Sequence, residues 1–126
     1  MYRYSMADVK KLSWNSIESE KLSETLSRKF VHGDRVMVAE IRLKKGAVVP
    51  EHHHESEQLT WVLNGELVFE IGGKKISVKS GEVLVIPSNV PHKATSPVDT
   101  LEMDIFSPIR MDWINKEDDY LRGKQA

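Results

Sequence analysis

Two stretches decide how this chain folds. The first is Gly46-Ala47-Val48-Val49-Pro50-Glu51-His52-His53-His54-Glu55-Ser56-Glu57-Gln58, with Gly65 beyond it. The second is Gly81-Glu82-Val83-Leu84-Val85-Ile86-Pro87-Ser88-Asn89-Val90-Pro91-His92. Side chains alternate across a strand, so His52 and His54 share a face and His53 takes the other. Gln58 keeps the same even parity, although a bend after His54 weakens the parity argument there. Three neutral imidazoles and one amide oxygen can hold a divalent transition ion and leave positions open for water or a substrate.

The surrounding text reads as strands. Residues 36–43 are rich in β-branched side chains with a partial period of two and stop at Lys44-Lys45-Gly46. Residues 59–63 are followed by Asn64-Gly65, a strong hairpin signal, with residues 66–71 as the expected return strand. Gly72-Gly73 and Ser80-Gly81 mark further turns, Pro87 ends the run 83–86, and a last strand is expected over 100–106. Short strands with turns every 8–12 residues point to a β-sandwich or barrel. One short helix is expected within 111–121, and residues 123–126 read as a frayed tail.

At 126 residues with a formal net charge of −1, the chain is long enough for one domain with a real core. Its Lys and Arg residues pair rather than cluster, which argues against a nucleic-acid surface. The absence of cysteine excludes disulfides, thiolate ligands and a cysteine nucleophile. No apolar run reaches membrane-span length, and residues 1–8 carry no signal-peptide core. The expectation is a cytoplasmic protein with no membrane partner.

Gly46, His52, His54, Gln58 and Gly65, followed by Gly81, Pro87, Asn89 and His92, resemble the two motifs of the cupin superfamily. The resemblance implies an all-β, single-domain cupin (a double-stranded β-helix, or jelly-roll barrel). On this reading residues 1–30 form an N-terminal arm, 31–110 the barrel and 111–126 a short C-terminal tail. It also implies a homodimer, and one divalent metal (nickel, manganese, iron, cobalt or zinc) on His52, His54, Gln58 and His92. Two positions depart from the motif. Gln58 stands where a Glu is usual, and Asn89 stands where a Gly is usual, a mild change because Asn tolerates left-handed backbone angles.

A Gln-containing set is similar to that of the small pectin-degradation cupins that linearise 4,5-unsaturated uronates. The stretch Asp104-Ile105-Phe106-Ser107-Pro108-Ile109-Arg110-Met111-Asp112-Trp113 resembles one in the same proteins. That likeness implies catalytic roles for Asp104 and Arg110, and a small anionic sugar-like substrate opened or isomerised by Lewis-acid and acid/base chemistry. Glu would cancel one charge of a bound ion, whereas Gln cancels none. The more positive site polarises a bound oxygen more strongly and favours Lewis-acid over redox work.

Each residue also has a plainer reading. Gln58 could be a hydrogen-bond partner while Glu55 or Glu57 binds the ion. Arg110 could be a surface residue, Asp104 could pair outside the barrel, and Glu102 shares the parity of Asp104. His32 and His53 carry no motif and are expected to be exposed or structural. Trp61 and Phe69 are expected in the barrel or interface core, and Trp113 and Tyr120 at the barrel mouth. A cupin dioxygenase and a non-enzymatic ligand-binding cupin are the alternative functions.

Overall fold

The computed structural model describes residues 9–123. Residues 1–8, the start of the expected arm, and 124–126 of the expected tail lie outside the described residues. Among the described residues, ten strands form two antiparallel sheets. They are β1 (Glu20–Lys21), β2 (Leu26–His32), β3 (Met37–Leu43), β4 (Val48–His52), β5 (Glu57–Asn64), β6 (Glu66–Ile71), β7 (Lys74–Lys79), β8 (Val83–Ile86), β9 (His92–Thr95) and β10 (Thr100–Ser107). The larger sheet runs β1-β2-β3-β10-β5-β8 and the smaller runs β4-β9-β6-β7. A four-residue helix, α1 (Met111–Ile114), and a 3₁₀ turn at Asp119–Leu121 follow β10.

The alternation within strands sets the core. Met37, Ala39, Ile41 and Leu43 of β3 point inward, as do Leu67 and Phe69 of β6 and Ile86 of β8. These residues meet between the sheets, as sandwich faces do. The inward row of β10 is unusual because it is Thr100, Glu102, Asp104 and Phe106, all buried. Two carboxyl groups inside a barrel are costly without a purpose. Among the described residues no helix is long and apolar enough to cross a membrane.

One expectation changes. Asn64-Gly65 does not make a hairpin, because β5 lies in the larger sheet and β6 in the smaller. Gly65 is the corner at which the chain changes sheets, at φ 108°. A Cβ there would lie 2.6 Å from the Asp99 carbonyl oxygen and 2.8 Å from the Thr100 Cα. Local sequence cannot tell a hairpin from such a corner, since both need the same left-handed backbone. Gly65→Ala is expected to destabilise the fold by about 3 kcal/mol, from backbone strain plus a clash with backbone atoms that cannot yield. Urea unfolding measures it, and a loss below about 1 kcal/mol would show that the corner relaxes.

Trp61 and Phe69 fall on opposite sides of the barrel wall. Trp61 is 46% exposed on the outer face of β5, whereas Phe69 is 3% exposed in the core. β1 and β2, within or overlapping the segment read as an arm, are the edge of the larger sheet, with β2 paired along its whole length to β3.

Candidate metal centre and active site

β4 and β9 pair so that His52 lies directly across from His92. Their ring centroids are 4.3 Å apart, and His54, in the loop after β4, is 5.5 Å from His52 and 5.1 Å from His92. One ligand atom from each of these three residues can be chosen so that all lie within 4.8 Å of one another. The turn after β8 braces this loop, because the Asn89 N–H donates to the His54 carbonyl at 2.8 Å. Asn89 sits at φ 63°, the left-handed angle that the sequence reading allowed it.

Every imidazole is oriented through Nδ1. The Nδ1 of His52, His54 and His92 faces the carbonyl of Pro50, Ser56 and Val90 at 2.9, 2.8 and 2.8 Å. A carbonyl can only accept, so the proton sits on Nδ1 and the Nε2 lone pairs face inward. Burial, the largest cause, holds His52 down at about 3 and His54 at about 4, with Arg110 and the neighbouring rings adding to it. His92 is lowered for the same reason. All three are therefore neutral near pH 7, the form that binds metal.

Two atoms test whether an ion fits. Nε2 of His92 is buried without a hydrogen-bond partner. Nε2 of His54 is 3.0 Å from Oε1 of Gln58. Neutral His54 has one proton and faces oxygen at both nitrogens, so one of the two contacts sets lone pair against lone pair. A cation shared by Nε2 and Oε1 removes that conflict. The donor set of three nitrogens and one amide oxygen fits a divalent transition ion. Glu55 and Glu57 are exposed, whereas Gln58 is buried. His53 and His32 are exposed.

Asp104 sits behind Gln58, on the adjacent strand. Thr60 Oγ1 donates to Asp104 Oδ1 at 2.7 Å, and Gln58 Nε2 donates to Thr60 Oγ1 at 2.9 Å. Burial raises the Asp104 carboxyl to about 6, although the Thr60 hydrogen bond and Arg110 pull the other way. Burial and the neighbouring Asp104 raise Glu102 well above the usual carboxylate range. Glu102 thus faces inward, as does Asp104, and neither pairs outside the barrel.

Arg110 is 4% exposed and lines the same cavity. Its Nε and Nη2 donate to the two carboxylate oxygens of Asp112 at 2.9 and 2.7 Å, and Nη2 also reaches the Tyr120 hydroxyl at 2.7 Å. The Tyr120 ring lies 4.5 Å from His52, so Tyr120 closes the mouth. Trp113 is buried beside Phe106 rather than at the rim, with ring centroids 5.0 Å apart. The cavity left among these groups is about 40 Å³.

A family model described as "Cupin domain" matches residues 39–107. The chain belongs to the cupin family. The cupin is 29% identical over 98 residues to the pectin degradation protein KdgF of Dickeya dadantii, covering 75% of this chain and 89% of that one. It is 32% identical over 73 residues to the oxalate-binding protein of Thermotoga maritima, covering 57% of this chain and only 60% of that protein's length. Among solved structures, KdgF from Halomonas sp. superposes with a TM-score of 0.75 at 28% identity, covering 80% of this chain and 96% of that one.

Sequence reasoning missed what holds Tyr120 in place. Arg28 on β2 is fully buried and pairs with Asp118, and also with Glu20 at 3.0 Å. Arg122 grips Asp118 from the other side at 2.9 Å. These pairs fasten the C-terminal turn over the mouth of this cupin. Nothing in the local sequence marks Arg28, which occupies one inward position of a strand. Thr60 was also missed, though its parity with Gln58 on β5 could have flagged it.

Proposed function

We propose that this cupin is a metal-dependent enzyme that opens or isomerises a 4,5-unsaturated uronate. The observation that carries the reading is Asp104, a buried carboxyl on the inner face next to the Gln58 ligand position, with Arg110 lining the same cavity. The likeness to two proteins called KdgF supports it. The ion would be held by His52, His54, Gln58 and His92, and when bound it supplies Lewis-acid polarisation of a substrate oxygen.

The chain's own groups account for the rest. Ring opening of a 4,5-unsaturated uronate removes a proton from the anomeric hydroxyl and breaks the bond from C1 to the ring oxygen. It then places a proton on C4, leaving carbonyls at C1 and C5. Asp104 takes the first proton and returns it to C4, so one carboxylate serves both halves. Thr60 donates to its Oδ1, and the buried Glu102 carboxyl hydrogen-bonds the same group. Arg110 anchors the substrate carboxylate, either through its remaining Nη1 or by exchanging Asp112 for the ligand. A sugar ring needs several times the 40 Å³ present, so Tyr120 must swing aside on entry. Mixing metal-loaded protein with unsaturated monomers from oligogalacturonate and from alginate tests the reading. The expected result is loss of the double-bond absorbance. No change with either monomer would refute it.

A second reading has its own observation. The small cavity suits a compact dicarboxylate, and a relative is called an oxalate-binding protein. Calorimetric titration of the metal-loaded protein with oxalate, and no uronate turnover, would favour this reading.

The homodimer implied by the resemblance belongs to the same proposal. Trp61, Leu63, Val83 and Val85 are exposed on the outer face of β5 and β8, with Leu59 and Ile105 half-buried beside them. A two-fold axis through this apolar face would bury the same patch on both copies. Light scattering is expected to give twice the chain mass for the native protein and the chain mass for Trp61→Glu. A monomeric native protein at micromolar concentration would rule the dimer out.

A further inference from the structure

Gln58 can offer a metal either an oxygen or an NH₂ group, and only the oxygen is a ligand. Something must hold the amide the right way round. We infer that Thr60 is the positioning residue that does so, by a one-way chain of hydrogen bonds running from Gln58 through Thr60 to Asp104. The inference rests on the metal-site reading above.

Strand register builds the chain. Gln58 and Thr60 are alternate residues on the inner face of β5, and Asp104 is the direct cross-strand partner of Thr60 on β10. All three are buried, at 5%, 0% and 4% exposure, so bulk water does not compete. The direction follows from counting protons. Asp104 Oδ1 is an acceptor 2.7 Å from Thr60 Oγ1, so the single hydroxyl proton points at Asp104. Thr60 then has only lone pairs left for Gln58, and Gln58 Nε2 lies 2.9 Å away. With the NH₂ group held there, Oε1 must face His54 Nε2, as it does at 3.0 Å. Turning the amide over would set its oxygen against the lone pairs of Thr60 and aim NH₂ at the ion position. Each half of that change leaves a buried polar group unpaired. The direct approach of Gln58 Nε2 to Asp104 Oδ1 is 3.5 Å, too long to hold the amide alone.

This chain also gives Thr60 a consequence specific to a glutamine ligand. A carboxylate presents oxygen from either end, so a Glu at this position has no wrong orientation to exclude. The test therefore uses both side chains. Cobalt(II) affinity is measured by competition with a chromophoric chelator for the native protein, Thr60→Val, Thr60→Ser, Gln58→Glu and Gln58→Glu with Thr60→Val. Circular dichroism of the metal-free forms checks the fold. We expect Thr60→Val to weaken cobalt binding about tenfold or more, as the loss of a group that orients a ligand does. Thr60→Ser should restore binding to within about threefold, and Thr60→Val should change the Gln58→Glu protein by less than about threefold. If Thr60→Val does not fold, Thr60→Ala carries the same comparison. Equal losses in both backgrounds, or no loss in either, would overturn the inference. Failure of the native protein to take up cobalt would instead remove the metal-site reading itself, and the inference with it.

Discussion

Replacing His92 with Ala is expected to lower divalent-metal affinity by at least ~100-fold and to leave purified protein nearly free of metal. His92 is the ligand candidate whose Nε2 is buried with no partner, and its Nδ1 is fixed by Val90. The imidazole is therefore desolvated and aimed before any ion arrives. Its removal takes away one of four donors. The metal-free variant should also lose some stability, because removing the buried ring leaves a cavity and frees the Val90 carbonyl, although an unpaired Nε2 goes with it. The deciding change appears on adding metal. An ion at 100 times its dissociation constant adds roughly 2.7 kcal/mol to the native protein. The variant should show no comparable rise in Tm. Elemental analysis beside thermal melts with and without metal decides the matter. Native-like metal content in His92→Ala would mean that the triad is not the binding site.

Asp104→Asn is expected to cost a factor of ~10²–10⁴ in uronate turnover with metal content unchanged, since Asn keeps the oxygen that accepts from Thr60 but cannot carry a proton. A drop in metal content of the same size would instead make Asp104 a support for the ligand set. The same substitution has a stability signature in the metal-free protein. Burial lifts the folded Asp104 carboxyl from 3.8 to about 6. A raised pKa means that the folded state holds the proton more tightly than the unfolded state. The associated stability is present below pH 3.8 and is lost as pH rises through about 6. Asn has no charge to bury, so the variant should melt above the native metal-free protein at pH 7.5, and the gap should shrink by pH 5. The depressed histidines work the opposite way, losing stability as pH falls from 6.5 towards 4 and 3. They are common to both proteins and cancel in the difference, which Asp104 sets together with Glu102, the neighbouring carboxyl that its charge raises. A gap independent of pH would mean that the buried carboxyl does not titrate in this range.

Much of this molecule is written in its local sequence. The period of two along β3, β5 and β10 assigns inner and outer faces, because side chains on a strand can only alternate. The two glycine-bounded stretches carry the resemblance to the cupins that implies the ligand set, and parity adds that His52 and His54 share a face that His53 does not. Asp104 and Glu102 were placed on one face of a strand, but not on which face. Tertiary structure decided what depends on contacts between distant segments. The two sheets share the chain at Gly65, a choice set by where Thr100 lies and not by Asn64-Gly65 itself. Tyr120 covers His52 because Arg28, Asp118, Glu20 and Arg122, far apart in sequence, form one network of ion pairs beneath the C-terminal turn. The direction of the Gln58 amide is set on another strand, by a carboxylate that accepts the one proton Thr60 can give. Alternation is a property of the backbone and can be read from a few neighbouring residues. The pairing of buried polar groups is a property of the closed barrel, since only exclusion of water makes each partner obligatory.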